Sequence, residues 1–234
     1  MNLLLLSNHQ SATGHKALAF VIEALGLKGQ VGGYIGSEPD PEGDFYRPTQ
    51  AFYQGLGIGL NTYLDFEQGF NDTVMQTLLD KPLVHLSGGD TYRFLRGLHS
   101  RNQQQKLKSY AASGHLLVGV SAGAMLLTAN IETAALCGDS NTVGLENLKA
   151  LGLADLLFVP HVVHSQSRDQ SHGLSQKQRA KQLAERHGLP VYLCSDEDAL
   201  AIIDGYLHCF GAPEIILPEA IAFALQCSSA RSSG

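Results

Sequence analysis

Five apolar residues, Leu116-Leu117-Val118-Gly119-Val120, run directly into the small side chains of Ser121-Ala122-Gly123-Ala124 and then into Met125-Leu126-Leu127. A short run that is apolar at every position fits a parallel strand buried on both faces, because a half-exposed strand would alternate. The residues of 122–127 are small or helix-favouring, so a helix is predicted to begin at once. Ser121 then stands at the apex of a tight strand-to-helix turn of the G-x-S-x-G type. Small neighbours are needed there because the turn crowds the backbone and lifts the hydroxyl clear of the sheet. The first N–H groups of the new helix have no partner within it and face the place where an oxyanion would form. Ser121 is the candidate nucleophile; taken alone, the motif also fits an ordinary small-residue turn.

The rest of the chain extends the same alternation. Strand patterns at 2–7, 31–35, 60–64, 81–86 and 115–120 are interleaved with helix patterns at 15–25, 48–56, 72–79, 91–98 and 103–112. This order predicts an α/β fold: a mostly parallel sheet with crossover helices on both faces. Residues 36–44, with Pro39, Pro41 and several acids, read as a surface loop. Beyond the serine, 134–152 reads as irregular, 156–159 as a strand and 176–187 as an exposed helix. Strands at 190–194, 200–203 and 206–210 follow, the last two joined at Asp204-Gly205, so antiparallel strands are expected near the C-terminus. A chain of 234 residues, 44% hydrophobic and 16% charged, suits one α/β domain over 1–227 with a frayed tail at 228–234.

A net charge of −6 and the lack of any Lys/Arg run argue against a nucleic-acid partner. The apolar Leu3-Leu4-Leu5-Leu6 is too short for a signal or membrane helix, so no membrane partner is expected. Cys137, Cys194, Cys209 and Cys227 are scattered, which suits a reducing cytoplasm; Cys194 and Cys209 lie in strand patterns and are expected to be buried. Neither glycine-containing turn has a G-x-G-x-x-G or G-K-[ST] pattern, so no cofactor is expected. Nothing in the sequence sets an oligomeric state.

A serine hydroxyl needs a base within hydrogen-bond reach, and the base works best when a carboxylate fixes its tautomer. Among ten histidines, His161 follows an apolar strand directly after Pro160, at a strand end where sites gather in open α/β sheets. His164 is its competitor. His161, His164 and His172 lack the cysteines or acids that would complete a metal site, so none is expected. For the orienting acid, Asp139 is favoured because its irregular segment falls between Ser121 and His161; Glu132, Asp155 and Asp196-Glu197-Asp198 are the alternatives. This compact order differs from the α/β-hydrolase layout, where acid and histidine come much later. A second elbow, Ser87-Gly88-Gly89-Asp90-Thr91-Tyr92, either aims backbone N–H groups at a ligand or is a glycine turn with Asp90 as helix cap.

These motifs, in this order, together with the opening Met1-Asn2-Leu3-Leu4-Leu5-Leu6-Ser7-Asn8 and Pro160-His161, resemble the serine peptidases that include dipeptidase E (α-aspartyl dipeptidase) and, more distantly, cyanophycinase. The resemblance covers about residues 1–217. It implies a fold like the class I glutamine amidotransferases, with serine at the elbow where those enzymes carry cysteine. It also implies Ser121 as nucleophile, His161 as base, Asp139 as orienting acid, and the N–H groups of Gly89 and Ala122 as oxyanion hole. The implied activity is hydrolysis of dipeptides or short peptides through an acyl-enzyme, including N-terminal Asp-Xaa. The related readings are an amide or isopeptide hydrolase of cyanophycinase type, and a non-catalytic binding domain that has kept the elbow.

Two positions depart from the family pattern. Asp90 stands where dipeptidase E carries Asn, and Gln176 in Ser175-Gln176-Lys177-Gln178-Arg179 replaces the arginine taken to pair with a substrate aspartate. An amide cannot supply that charged, bidentate pairing. Arg168, Lys177 and Arg179 are the candidate substitutes for it, and Asp90 or the cluster containing Glu197 is the candidate site for a substrate α-amino group.

Overall fold

The computed structural model describes residues 1–163 and 174–224. Its elements in chain order are β1 (Asn2–Leu6), α1 (Ala12–Ala24), β2 (Val31–Gly36), α2 (Tyr46–Gly55), β3 (Gly59–Asp65), α3 (Asp72–Leu79), β4 (Leu83–Leu86), α4 (Thr91–Ser100) and α5 (Gln104–Ala112). Then follow β5 (Leu116–Val120), α6 (Ala122–Leu127), a 3-10 turn (Glu132–Leu136), β6 (Leu157–Val159), α7 (Gln176–His187), β7 (Val191–Leu193), β8 (Ala199–Ile203), β9 (Tyr206–Phe210) and β10 (Glu214–Ile216).

Seven strands form the main sheet in the order β3-β2-β4-β5-β1-β8-β9. The first five are parallel, and β8 and β9 close the far edge antiparallel. The unbroken apolar runs have a direct cause. Leu3 and Leu5 of β1 pack with Phe94, Leu107 and Met125 on one face, while Leu4 and Leu6 pack with Leu18, Val21 and Tyr53 on the other. Both faces are roofed by helices, so neither set of side chains can be polar. Helix starts are fixed locally: Ser11 Oγ accepts from Gly14 N–H, Asn71 Oδ1 from Thr73 and Val74 N–H, and Ser175 and Gln178 form a reciprocal capping box.

A second, three-stranded sheet, β10-β7-β6, packs against α7 through Leu157, Val159, Leu183 and Val191. The strand at Glu214–Ile216 lies beyond the sequence pattern, being only three residues long. Cys209, expected to be buried, is exposed, because β9 is an edge strand with Tyr206–Cys209 open to solvent. Cys194 is buried as expected. The Asp204-Gly205 turn has positive φ at both residues, 51° and 85°, the geometry of a tight hairpin. The tail at 228–234 and Cys227 lie outside the described residues.

Candidate active site

The two elbows lie side by side because β4 and β5 are neighbouring parallel strands, with Leu86 opposite Gly119. Ser121 follows β5 with φ 50° and ψ −108°, a strained backbone for any residue with a Cβ. Its N–H donates to Leu6 O at 2.8 Å, and Gly123 N–H donates to Ser87 O at 2.9 Å, tying the turn to β1 and to the other elbow. The glycines are steric necessities. A Cβ on Gly123 would lie 2.2 Å from Leu86 O, and one on Gly119 2.5 Å from the Gly123 backbone.

His161 lies just beyond β6, also at positive φ (58°). Its N–H donates to Ser7 Oγ at 3.2 Å, and the same hydroxyl donates to Cys194 O at 3.2 Å, so buried Ser7 ties the histidine to the end of β7. His161 Nε2 is 2.9 Å from Ser121 Oγ, and Nδ1 is 2.6 Å from Asp196 Oδ1. With the ring proton on Nδ1, donated to Asp196, Nε2 is left to accept the serine hydroxyl proton. The histidine and aspartate side chains are 46% and 53% exposed, so this pair adds little to stability and serves to orient the ring.

The carboxylate on His161 is therefore that of Asp196, and the placement expected of Asp139 is corrected. Asp139 Oδ2 accepts instead from Thr91 Oγ1 at 2.6 Å, fastening the segment after the 3-10 turn to the start of α4. The acidic cluster divides its labour. Buried Asp198 accepts from Ser195 N–H and Oγ–H, each at 2.7 Å, and from Ala212 N–H at 2.6 Å, which shapes the turn that presents Asp196. Glu197 accepts from Thr13 N–H at 3.2 Å and does not line the cavity described below.

At the other elbow, Ser37 Oγ and Ser87 Oγ both donate to Gly88 O, at 2.7 and 2.8 Å. Gly89 has φ 121°, and a Cβ there would fall 2.1 Å from Ser37 Oγ. Asp90 caps α4, accepting from Arg93 N–H at 2.9 Å. Gln176 donates to Leu136 O at 2.9 Å, and Arg179 is an exposed residue of α7 that does not line the cavity. Arg168, His164 and His172 lie outside the described residues. Among the described residues, no three or more His, Cys, Asp or Glu side chains are grouped to hold a metal ion. No described helix is long and apolar enough to cross a membrane.

Ser121 and His161 open onto a cavity of about 540 Å³. Its inner wall holds Tyr34, His85 and His9, none of which the sequence singled out. The His85 ring stacks on Tyr34 (5.1 Å between centroids, 8° between planes) and Nδ1 is fixed by Tyr53 Oη at 3.0 Å. His9 meets His85 and Phe52 edge to face, with both ring nitrogens buried and without a partner among the described residues. Burial lowers the pKa of His9 to about 4 and holds that of His85 well below its usual value, so both rings are neutral at pH 7. Glu38, Asp40 and Asp44 also line the cavity, Asp44 exposed at the mouth and Glu38 half-buried, with its carboxylate 3.6 Å from where a Cβ on Gly89 would lie.

Residues 40–210 match the model of peptidase family S51. The chain belongs to this family. S51 enzymes are serine-type peptidases, and both elbows and His161 fall within the matched stretch. An uncharacterized peptidase of Pasteurella multocida (strain Pm70) is 27% identical over 99 residues, which span 42% of this chain and 48% of that relative. A crystal structure of a protein provisionally assigned as peptidase E, from Listeria monocytogenes EGD-e, superposes with a TM-score of 0.67 at 22% identity over 90% of this chain and 98% of that one. A peptidase from an acI-B1 Actinobacterium gives 0.58 at 17% identity, over 93% and 94%. At these identities the two structures speak for the shared fold.

Proposed function

We propose that this S51 member hydrolyses dipeptides or other short peptides, with Ser121 as nucleophile, His161 as general base and Asp196 as the acid that orients it. The observation that carries the reading is the continuous chain Ser121 Oγ to His161 Nε2 to Asp196 through Nδ1, at 2.9 and 2.6 Å. As Ser121 Oγ attacks the scissile carbonyl carbon, its proton moves to Nε2 and the imidazolium is held by Asp196. The carbonyl oxygen becomes an oxyanion facing the N–H groups of Gly89 and Ala122, which stand at the heads of the two adjacent elbows. Nε2–H then protonates the leaving amine, the C–N bond breaks, and an acyl-Ser121 ester remains. Water enters, gives its proton to Nε2 and attacks the ester; the proton returns to Ser121 Oγ as the acid leaves.

The test is direct. A fluorophosphonate should label the wild-type chain once, at Ser121, and a dipeptide library should be turned over by wild type and not by Ser121→Ala. An unlabelled Ser121 with no turnover would defeat the assignment and leave the elbow as scaffold.

A further inference from the structure

The cavity beside Ser121 has a composition that the proposed chemistry does not by itself require. Its inner wall is built of rings: Tyr34 and His85 stacked face to face, with His9 set edge-on against His85 at 5.7 Å between centroids. Tyr53 Oη fixes the plane of His85 from behind. Farther out, Phe45 is 73% exposed and stands beside Pro39 and Pro48 on the same cavity. The charged side chains among the described lining residues are Glu38, Asp40 and Asp44, all carboxylates. Glu38 is paired with Arg93, which Glu67 also holds at 2.7 Å. Asp40 accepts from the N–H groups of Asp44, Phe45 and Tyr46 at 2.8–3.0 Å, which anchors the start of α2. Asp44 is exposed at the mouth.

A side chain entering this space meets ring faces, ring edges and proline, together with the uncharged polar side chains of Asn8, Gln10, Ser37 and Thr49, and negative charge at the mouth. An aromatic or other uncharged planar group gains apolar contact and edge-to-face packing there. A carboxylate meets the like charges of Asp40 and Asp44, since Glu38 is already paired with Arg93, and among the described lining residues no Lys or Arg stands ready to compensate its lost hydration. The two imidazoles do not alter this, since burial keeps both neutral.

We propose that this cavity selects peptides bearing an uncharged, ring-containing side chain beside the scissile bond and turns acidic ones away. The inference rests on Ser121 acting as the nucleophile, and the experiment separates the two. Ser121 is first titrated with a fluorophosphonate, and kcat/KM is then measured on dipeptides that differ only in the N-terminal residue: Phe, Asp and Lys. The expected result is full labelling with Phe ahead of both Asp and Lys by about tenfold or more. Asp44→Lys, a change at an exposed position, should raise the Asp-to-Phe ratio about two- to fivefold, the reach of a surface charge. Full labelling with Asp preferred overturns the proposal, and so does a tenfold preference for Lys, which would give the choice to the carboxylates instead of the rings. Absence of labelling defeats the nucleophile assignment on which it stands.

Discussion

Ser37 Oγ donates to the carbonyl of Gly88 at 2.7 Å, and Ser87 Oγ reaches the same oxygen at 2.8 Å. In a trans peptide the C=O and the following N–H point opposite ways, so whatever holds Gly88 O also sets the direction of Gly89 N–H. These two buried hydroxyls are positioning groups for the proposed oxyanion donor. Ser37→Ala and Ser87→Ala should each lower kcat about tenfold with KM little changed, less than the loss of a donor itself. Ser37→Thr, which keeps the hydroxyl, should recover most of it. Equal falls in kcat and folding stability, with no rescue by Thr, would reduce both serines to packing.

The two candidate acids separate cleanly by substitution. Asp196 fixes the tautomer of His161, so Asp196→Asn should lower kcat about 10²- to 10⁴-fold while leaving stability nearly unchanged. Asp139 holds Thr91 instead, so Asp139→Asn should cost about 1 kcal/mol of stability and leave kcat within about threefold. Steady-state kinetics and urea midpoints on the same two proteins give both readings. A larger kcat loss at Asp139 than at Asp196 would return the orienting role to Asp139.

The contrast between these acids shows what the sequence could and could not reveal. Ser121 and His161 each carry a local signal, a strand followed by small residues in one case and a strand ending in Pro-His in the other. Chain position favours Asp139, and chain position contains no distance. The relation that matters is the parallel pairing of β6 with β7, Val159 opposite Leu193, which brings the residues just after each strand to the same sheet end. His161 and Asp196 meet for that reason, and a pairing between two three-residue strands leaves no periodic trace in the sequence. The main sheet was legible because strands buried on both faces must be apolar throughout. The ring wall was not: Tyr34, His85 and His9 come from three separate strand ends or strands and share a cavity only after folding.

The close fit of the elbow at Ser121 makes a stability prediction. Gly123→Ala would place a methyl 2.2 Å from Leu86 O, a backbone atom of a central strand that cannot step aside. A loss of about 3 kcal/mol is expected, at the upper end of overpacking effects. Gly55→Ala is the control: nothing lies within 4 Å of its added Cβ in α2, and a gain of about 0.5 kcal/mol is expected from helix propensity. Urea midpoints of the two variants should move in opposite directions. A neutral Gly123→Ala would mean that the two elbows are looser than their geometry states.

Burial of neutral imidazoles sets the acid side of the stability curve. Unfolded, a histidine takes up a proton near pH 6.5; in the fold, burial lowers His9 to about 4 and His85 well below its usual value. Below pH 6.5 the unfolded chain therefore binds more protons than the folded one, and stability must fall as pH drops from about 6.5 toward about 4. The carboxyls of Glu67 and Asp40 are also held low, by the hydrogen bond from Arg93 to Glu67 and, for Asp40, by backbone N–H groups that outweigh its partial burial. Their ordinary values lie near 4, so their contribution is lost mainly below pH 5, and the interval from 6.5 to 5 isolates the histidines. His9→Gln, which does not titrate there, should flatten the slope of unfolding free energy in that interval by up to about 1.4 kcal/mol per pH unit. Urea unfolding at pH 7.5, 6.5, 5.8 and 5.0 measures it. An unchanged slope would mean that His9 takes up its proton equally in the folded and unfolded chain, so that the cavity wall gains a cation below about pH 6.5 and the proposed choice of substrate would hold only above it.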